Sequence, residues 1–198
     1  MADNLIYQED LIFLQASIPE LQAYMLSKEV FWPVYYGHQN SSTSISKLTL
    51  GNLYLAFERL QALTLPDPIT LELELLDQQF QHFHSQWKAN LIKKGTDEIA
   101  ARINLWNNYL REIDKRGFFN RSEYANNVRW RAIVQLLIEN EVPINLSARE
   151  QLRICDSYLK KNFHTSDFVW QEPYSKKFEP EKFWYLYMTL SFEKSVKL

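Results

Sequence analysis

The sequence predicts an all-α fold, a compact bundle of about six helices built around an antiparallel helical hairpin at residues 68–117. An aromatic-rich C-terminal segment follows this bundle. Apolar residues recur at alternating spacings of three and four over long stretches, which is the period of a helix face. Only four of the 198 residues are glycine, which disfavours folds with many tight turns. Length and a hydrophobic share of 46% are those of one globular domain, so we expect residues 1–198 to form a single helical domain.

The predicted hairpin consists of two consecutive periodic segments. Asp67 and Pro68 stand where a helix N-cap and first-turn proline belong, and Gly95 and Gly117 stand where the two helices would end. The short link at Gly95 predicts that the helices pack antiparallel. The two apolar stripes are Leu73, Leu76, Phe80, Phe83 and Trp87, then Ile99, Ile103, Trp106, Leu110 and Ile113.

Four further helices are predicted from their capping residues. Ser17 begins a capping box and predicts a helix over 18–27, and Thr49 caps a helix that carries Leu53 and Phe57. Asn120 opens a helix that ends before Pro143, and Ser147 opens another that continues to Phe163.

Two segments do not follow helical periodicity. Residues 30–36 are aromatic and β-branched around Pro33, which favours an extended conformation. Residues 183–190 are nearly all apolar and too short to assign by periodicity. Because Pro180 and Glu181 favour a helix start, we predict a buried helix there, with a strand as the alternative.

The sequence contains no recognisable catalytic, metal or cofactor motif. No two glycines lie within six residues of each other, which excludes closely spaced phosphate loops. His82 and His84 point to different sides of a helix, so they cannot hold one ion together, and His84 is expected at the edge of the apolar stripe. Cys155 falls on an inner helix face, where a thiol is inert. We predict no catalytic residue, metal site or cofactor and favour a non-enzyme, although an active site can be assembled from residues distant in sequence.

A basic and aromatic cluster on the predicted helix Arg121–Arg131 is the first candidate binding site. Arginine and asparagine read base edges in nucleic acids, which makes this helix a candidate nucleic-acid reader. The alternative is structural, with the arginines paired to acids such as Glu139 or Glu141 or stacked on aromatic rings. The net charge of −2 gives no global attraction to nucleic acid. The candidate binding residues here are Tyr124, Arg129 and Arg131.

The C-terminal segment contributes a second candidate cluster. Its aromatic residues lie in a proline-punctuated stretch and are not placed by helical periodicity. They either wrap the bundle or form a docking surface, for which tryptophan and tyrosine are common anchors. The candidate binding residues here are Trp170, Tyr174, Lys176, Lys177 and Trp184.

The function that these patterns favour is a non-catalytic helical interaction module that acts as a component of a protein assembly, with another protein as its partner. The first alternative is nucleic-acid binding through the Arg121–Arg131 helix. The second is a small-molecule binder or enzyme with an aromatic-lined pocket. No stretch approaches the ~20 apolar residues of a membrane-spanning helix, and residues 1–10 do not resemble a signal peptide. We therefore expect a cytoplasmic protein.

Overall fold

The computed structural model describes residues 6–36 and 44–190, and helices dominate this part of the chain, which confirms the all-α prediction. Short 3-10 turns and two small antiparallel strand pairs connect the helices. Trp32 lies opposite Leu48 in the first pair, and His164 lies opposite Thr189 in the second. The elements are α1 (Gln8–Ser17), α2 (Leu21–Leu26), β1 (Trp32–Tyr36), β2 (Ser44–Leu48), α3 (Leu50–Ala62), α4 (Asp67–Arg116), α5 (Arg121–Asn127), α6 (Arg129–Glu139), α7 (Leu146–Asn162), β3 (His164–Thr165), α8 (Pro180–Phe183) and β4 (Met188–Thr189).

Several predicted helix ends are confirmed by their hydrogen bonds. The Thr49 hydroxyl accepts from the backbone N–H of Asn52 at 3.0 Å, and the Asn120 side chain accepts from that of Glu123 at 3.0 Å. Gly117 has φ +60° and follows the last residue of α4, as expected for the residue past a C-cap. Local sequence therefore determines these three boundaries.

Two other predicted caps are wrong. Ser17 has helical backbone angles and makes no capping bond, because α1 already covers Gln8–Ser17 and passes through a 3-10 turn into α2. The helix predicted to open at Ser147 begins two residues earlier. Asn145 is its N-cap and accepts from the N–H of Ala148 at 2.8 Å. Asparagine and serine are both good caps, and the earlier one is used here.

The predicted hairpin turn at Gly95 is also wrong, because α4 stays helical through this residue and is kinked at Trp87 instead. Its only departure from helical angles is at Trp87 (φ −112°, ψ 20°), where the Trp87 and Phe83 rings stack with centroids 5.6 Å apart. Gly95 permits a close approach instead of a turn. A Cβ there would lie 2.9 Å from both γ-methyl groups of Val142 and 3.2 Å from Cδ2 of Leu50.

Contacts divide the chain into two compact units, each with its own core. The first comprises Met1–Glu98 with Leu136–Pro143, and the second comprises Ile99–Gln135 with Ile144–Leu198. Leu53, Leu60 and Phe80 are fully buried in the first unit, and the second is built around Trp106, Tyr124 and Tyr185. The expectation of a single domain stays a prediction.

The C-terminal segment is only partly helical. The predicted helix over 183–190 is replaced by the end of α8, a 3-10 turn at Trp184–Tyr187, and the short strand β4. The aromatic rings of this segment pack against one another, with Phe178 and Phe183 centroids 5.0 Å apart and Phe168 and Tyr187 centroids 5.1 Å apart. Packing among these rings, and not helical periodicity, places the segment.

We expect Gly95→Ala to lower the free energy of unfolding by about 1 kcal/mol, as measured by urea denaturation. The helix gains ~1 kcal/mol from alanine, but overpacking against Val142 costs ~1–3 kcal/mol, because a β-branched side chain cannot rotate away. In a Val142→Ala background, which removes the crowding methyl groups, Gly95→Ala should instead be stabilising. Equal effects in both backgrounds would contradict the close approach.

Candidate functional site

The basic cluster predicted on residues 121–131 is largely engaged inside the protein. Arg131 is only 5% exposed, and its Nε and Nη2 donate to the two carboxylate oxygens of Asp156 at 2.9 and 3.0 Å. The guanidinium also lies 4.4 Å from the centroid of the Tyr185 ring. Arginine–acid pairing was expected, but the partner is Asp156 and not Glu139 or Glu141, because the helices bring together residues 25 positions apart.

The helix predicted over Arg121–Arg131 is two helices, α5 and α6, which meet at Val128. Arg121 donates to the hydroxyl of Ser166 at 3.0 Å and to the carbonyl oxygens of Asp167 and Phe168 at 3.1 and 3.2 Å. Its guanidinium thereby anchors the C-terminal segment. Arg129 is exposed, and nucleic-acid binding stays a prediction that now depends mainly on this side chain.

The predicted aromatic binding residues contribute mainly to packing. Tyr124 is fully buried and donates to the carbonyl oxygen of Tyr185 at 2.7 Å, and burial raises the pKa of its phenol. Trp170 is half-buried and donates to the carbonyl oxygen of Ala125 at 2.8 Å. Tyr174 is buried, and Trp184 is half-buried. These contacts favour the wrapping interpretation over an aromatic docking surface.

The remaining candidate residues and the one cysteine do not form a catalytic or metal-binding cluster in the described part of the chain. Lys176 and Lys177 are exposed. The Lys160 Nζ lies 4.9 Å from the centroid of the Trp184 ring. Cys155 is buried, and burial together with Asp156 raises the pKa of its thiol to about 11. Within residues 6–36 and 44–190, no group of three histidine, cysteine or acidic side chains could hold a metal ion.

A cavity of about 240 Å³ lies within the first unit. The start of α3 provides one wall and the middle of α4 another, while the end of α6 and the residues after it provide the third. Apolar and polar side chains both face this space, which is typical of small-molecule sites. The lining residues are Leu50, Tyr54, His84, Lys88, Leu91, Ile92, Glu139, Asn140, Glu141 and Val142.

The third wall exists because α6 ends in a left-handed residue. The N–H of Val142 donates to the Leu137 carbonyl oxygen at 3.0 Å, and the N–H of Glu141 donates to that of Ile138 at 3.1 Å. This Schellman pattern puts Glu141 at φ +62°, a position that glycine or asparagine normally occupies. The left-handed conformation costs a glutamate ~1 kcal/mol. A strained residue that lines a cavity is a reason to look for function there.

The polar lining of the cavity includes two uncharged side chains, His84 and Tyr54, and an ion pair between Lys88 and Glu141. Burial, followed by the charge of Lys88, lowers the pKa of His84, so its imidazole is neutral at neutral pH. Burial, followed by the charge of Glu98, raises the pKa of Tyr54 to about 12, so its phenol stays protonated. The Lys88 Nζ lies 3.6 Å from Oε2 of Glu141. The cavity therefore offers hydrogen-bonding groups beside a weak ion pair.

The sequence predicts His84 at the edge of the apolar stripe of α4 and gives no indication of this cavity. Tyr54 stands at an ordinary helix position, and no local signal marks it. Glu141 lies two residues before Pro143, and this proline predicts that the helix ends nearby. A glutamate does not predict the left-handed conformation that Glu141 adopts. The lining brings together residues 50–54, 84–92 and 139–142, and no spacing rule predicts that combination.

Comparisons with known proteins give no further assignment, since no family model, no curated protein and no solved structure matches the chain. Among the described residues, no helix is both long enough and apolar enough to span a membrane. The geometry of the cavity is therefore the observation on which a function can be based.

We expect Arg131→Ala to lower the free energy of unfolding by about 3 kcal/mol, because it leaves the Asp156 carboxylate without its main partner. Arg149→Ala, at an exposed position on α7, is the matched control and should change stability by less than ~0.5 kcal/mol. Chemical denaturation measures both. A stable Arg131→Ala protein would contradict the structural role and revive Arg131 as a binding residue.

Proposed function

We propose that the protein binds a small organic molecule in the cavity formed by α3, α4 and the end of α6. The observation that carries this proposal is a concave space that is lined by the polar residues His84, Tyr54 and Asn140 together with the apolar residues Leu50, Leu91 and Val142. Binding sites combine an apolar lining with a few placed polar groups in this way. The proposal concerns binding and includes no chemical transformation of the ligand.

The size of the cavity limits the ligand. A protein cavity of ~150 Å³ accommodates benzene, with six carbon atoms. By the same ratio, a space of about 240 Å³ accommodates on the order of ten non-hydrogen atoms. Nucleotides and most cofactors exceed this size, so only part of such a molecule would fit inside the cavity, and the proposed ligand is a smaller, metabolite-sized molecule.

Ile92→Trp is the variant that tests this function, because Ile92 lines the cavity and is half-buried. We expect ligand-observed NMR to identify fragments of up to ~10 non-hydrogen atoms that bind the wild-type protein and no longer bind Ile92→Trp. Ile154→Trp is the matched control, because Ile154 is 54% exposed on α7 and outside the lining. A fragment set that binds wild type and Ile92→Trp equally would contradict the proposal.

A second candidate function, a helical interaction module within a protein assembly, is supported by an exposed apolar pair. Tyr35 on β1 lies directly opposite Ile45 on β2, and the two are 63% and 59% exposed. Exposed apolar residues that lie side by side can contribute to a protein-binding surface. A cytoplasmic location remains part of both proposals and is supported by a single, buried cysteine.

The double variant Tyr35→Ser with Ile45→Ser tests the assembly function. If the module docks through this pair, affinity purification from the native host should recover a stoichiometric protein with the wild type and lose it with the double variant. Leu146→Ser is the control, because Leu146 is 82% exposed but lies on α7. Recovery of the same partner with both variants would exclude the strand pair as the docking surface.

A further inference from the structure

The charged residues of the cavity lining are exposed, whereas its buried residues are uncharged. Lys88 pairs with Glu141, and Glu139 also has a partner within the protein. A ligand that fills the buried part of the cavity therefore contacts no side chain that could balance a charge of its own. Burying an ionised group without a counter-charge is strongly unfavourable. The buried lining residues are Leu50, Tyr54, Leu91 and Val142.

Tyr54 is the polar member of this buried lining, and the protein does not use its hydroxyl. The residue is only 8% exposed, and its ring packs edge-on against Phe80 with centroids 5.8 Å apart. No residue in the described part of the chain forms a hydrogen bond with the Tyr54 hydroxyl. Buried hydroxyl groups normally have such a partner. Because Tyr54 lines the cavity, its hydroxyl is available to a bound ligand.

The protonation state of Tyr54 makes its hydroxyl a hydrogen-bond donor. Burial, followed by the charge of Glu98, raises the pKa of Tyr54 to about 12, so the phenol keeps its proton at neutral pH. Glu98 is itself fully buried, and its carboxylate accepts from the backbone N–H of Gly51 at 2.9 Å. The burial and the negative charge that oppose a phenolate at Tyr54 also oppose a ligand anion beside it. Tyr54 therefore favours an uncharged acceptor.

His84 indicates that a positive charge is disfavoured in the same cavity. Burial, followed by the charge of Lys88, lowers the pKa of His84, and its ring nitrogens form no hydrogen bond with a described residue. The His84 ring lies against the other side of the contact with Phe80, with centroids 6.0 Å apart. The neutral imidazole carries one donor and one acceptor nitrogen. The cavity thus disfavours charge of either sign and offers uncharged hydrogen-bonding groups.

From these contacts we infer that the ligand is a small uncharged molecule with an apolar body and a hydroxyl or carbonyl oxygen that accepts a hydrogen bond from Tyr54. This inference rests on the proposed binding function and specifies its ligand class. The apolar body contacts Leu50, Leu91 and Val142. His84 supplies a second uncharged hydrogen-bonding group in the lining.

Four probes of nearly equal size test the ligand class: benzyl alcohol, ethylbenzene, benzylamine and benzoate. Each fits the ~10-atom limit, and the amine and the acid are both ionised at about pH 7.5. We expect NMR titration of the wild-type protein to give benzyl alcohol a dissociation constant at least about tenfold below those of benzylamine and benzoate. The reason is that each ion loses its hydration in the cavity without gaining a counter-charge.

Tyr54→Phe tests the hydrogen bond, because it removes the hydroxyl and keeps the ring. We expect this variant to weaken the binding of benzyl alcohol about fivefold relative to that of ethylbenzene, as the loss of one net hydrogen bond provides. The midpoint of urea denaturation should stay at the wild-type value, since no described residue pairs with this hydroxyl. Tyr7→Phe is the matched control, because Tyr7 is half-buried in the first unit and does not line the cavity. It should leave the ratio of the two dissociation constants unchanged.

Each failure has a distinct meaning. If benzylamine or benzoate binds in the cavity as tightly as benzyl alcohol, or if Tyr54→Phe leaves the ratio of the benzyl alcohol and ethylbenzene dissociation constants unchanged, the ligand class is overturned and the binding function stands. A lower urea midpoint for Tyr54→Phe would also overturn the ligand class, because the hydroxyl would then stabilise the fold. If none of the four probes binds the wild-type protein, or if Ile92→Trp binds them equally well, both the ligand class and the binding function are overturned.

Discussion

The contact of Val142 with the bare backbone of Gly95 is the constraint on which the first unit depends. A methyl group at Gly95 would collide with both γ-carbons of Val142, so the end of α6 can approach α4 this closely only at a glycine. Leu50 at the start of α3 meets the same point. Three elements distant in sequence therefore converge on one residue without a side chain, and the cavity lies beside this junction.

Two buried charged side chains, Lys94 and Glu98, stabilise the first unit by bonding to backbone groups at helix ends. The ammonium of Lys94 donates to the carbonyl oxygen of Ser27 at 3.0 Å and lies 4.5 Å from the Tyr24 ring, so it caps the end of α2. The carboxylate of Glu98 accepts from the N–H of Gly51 at 2.9 Å and completes the start of α3. Each of these charges satisfies helix-end groups that would otherwise be buried without partners.

Features specified by local sequence could be predicted, and features that depend on distant contacts could not. The caps at Thr49 and Asn120 can be predicted from the sequence, because each side chain accepts a hydrogen bond from the backbone N–H three residues later. Gly95 does not end a helix as predicted, because glycine permits both a helix end and a close approach between helices. The partner of Arg131 lies 25 residues away, and one sequence contains no signal for that pairing.

The candidate site was the least predictable part, for the same reason. Its polar groups come from three helices, and none stands in a motif. Glu141 is unusual only in its positive φ, and a glutamate in the sequence does not predict a positive φ. Composition favours tryptophan, tyrosine and arginine as binding residues instead, but Tyr124, Arg131 and Trp170 make contacts within the second unit.

The order of segments along the chain has a consequence for synthesis. The first unit comprises residues up to Glu98 and then Leu136–Pro143, so its last piece leaves the ribosome about 40 residues after the rest. Before that piece is synthesised, Val142 cannot contact Gly95, and the cavity lacks one wall. Until this late segment has docked, the cavity that we propose as a binding site is incomplete, and α3 and α4 border an open groove.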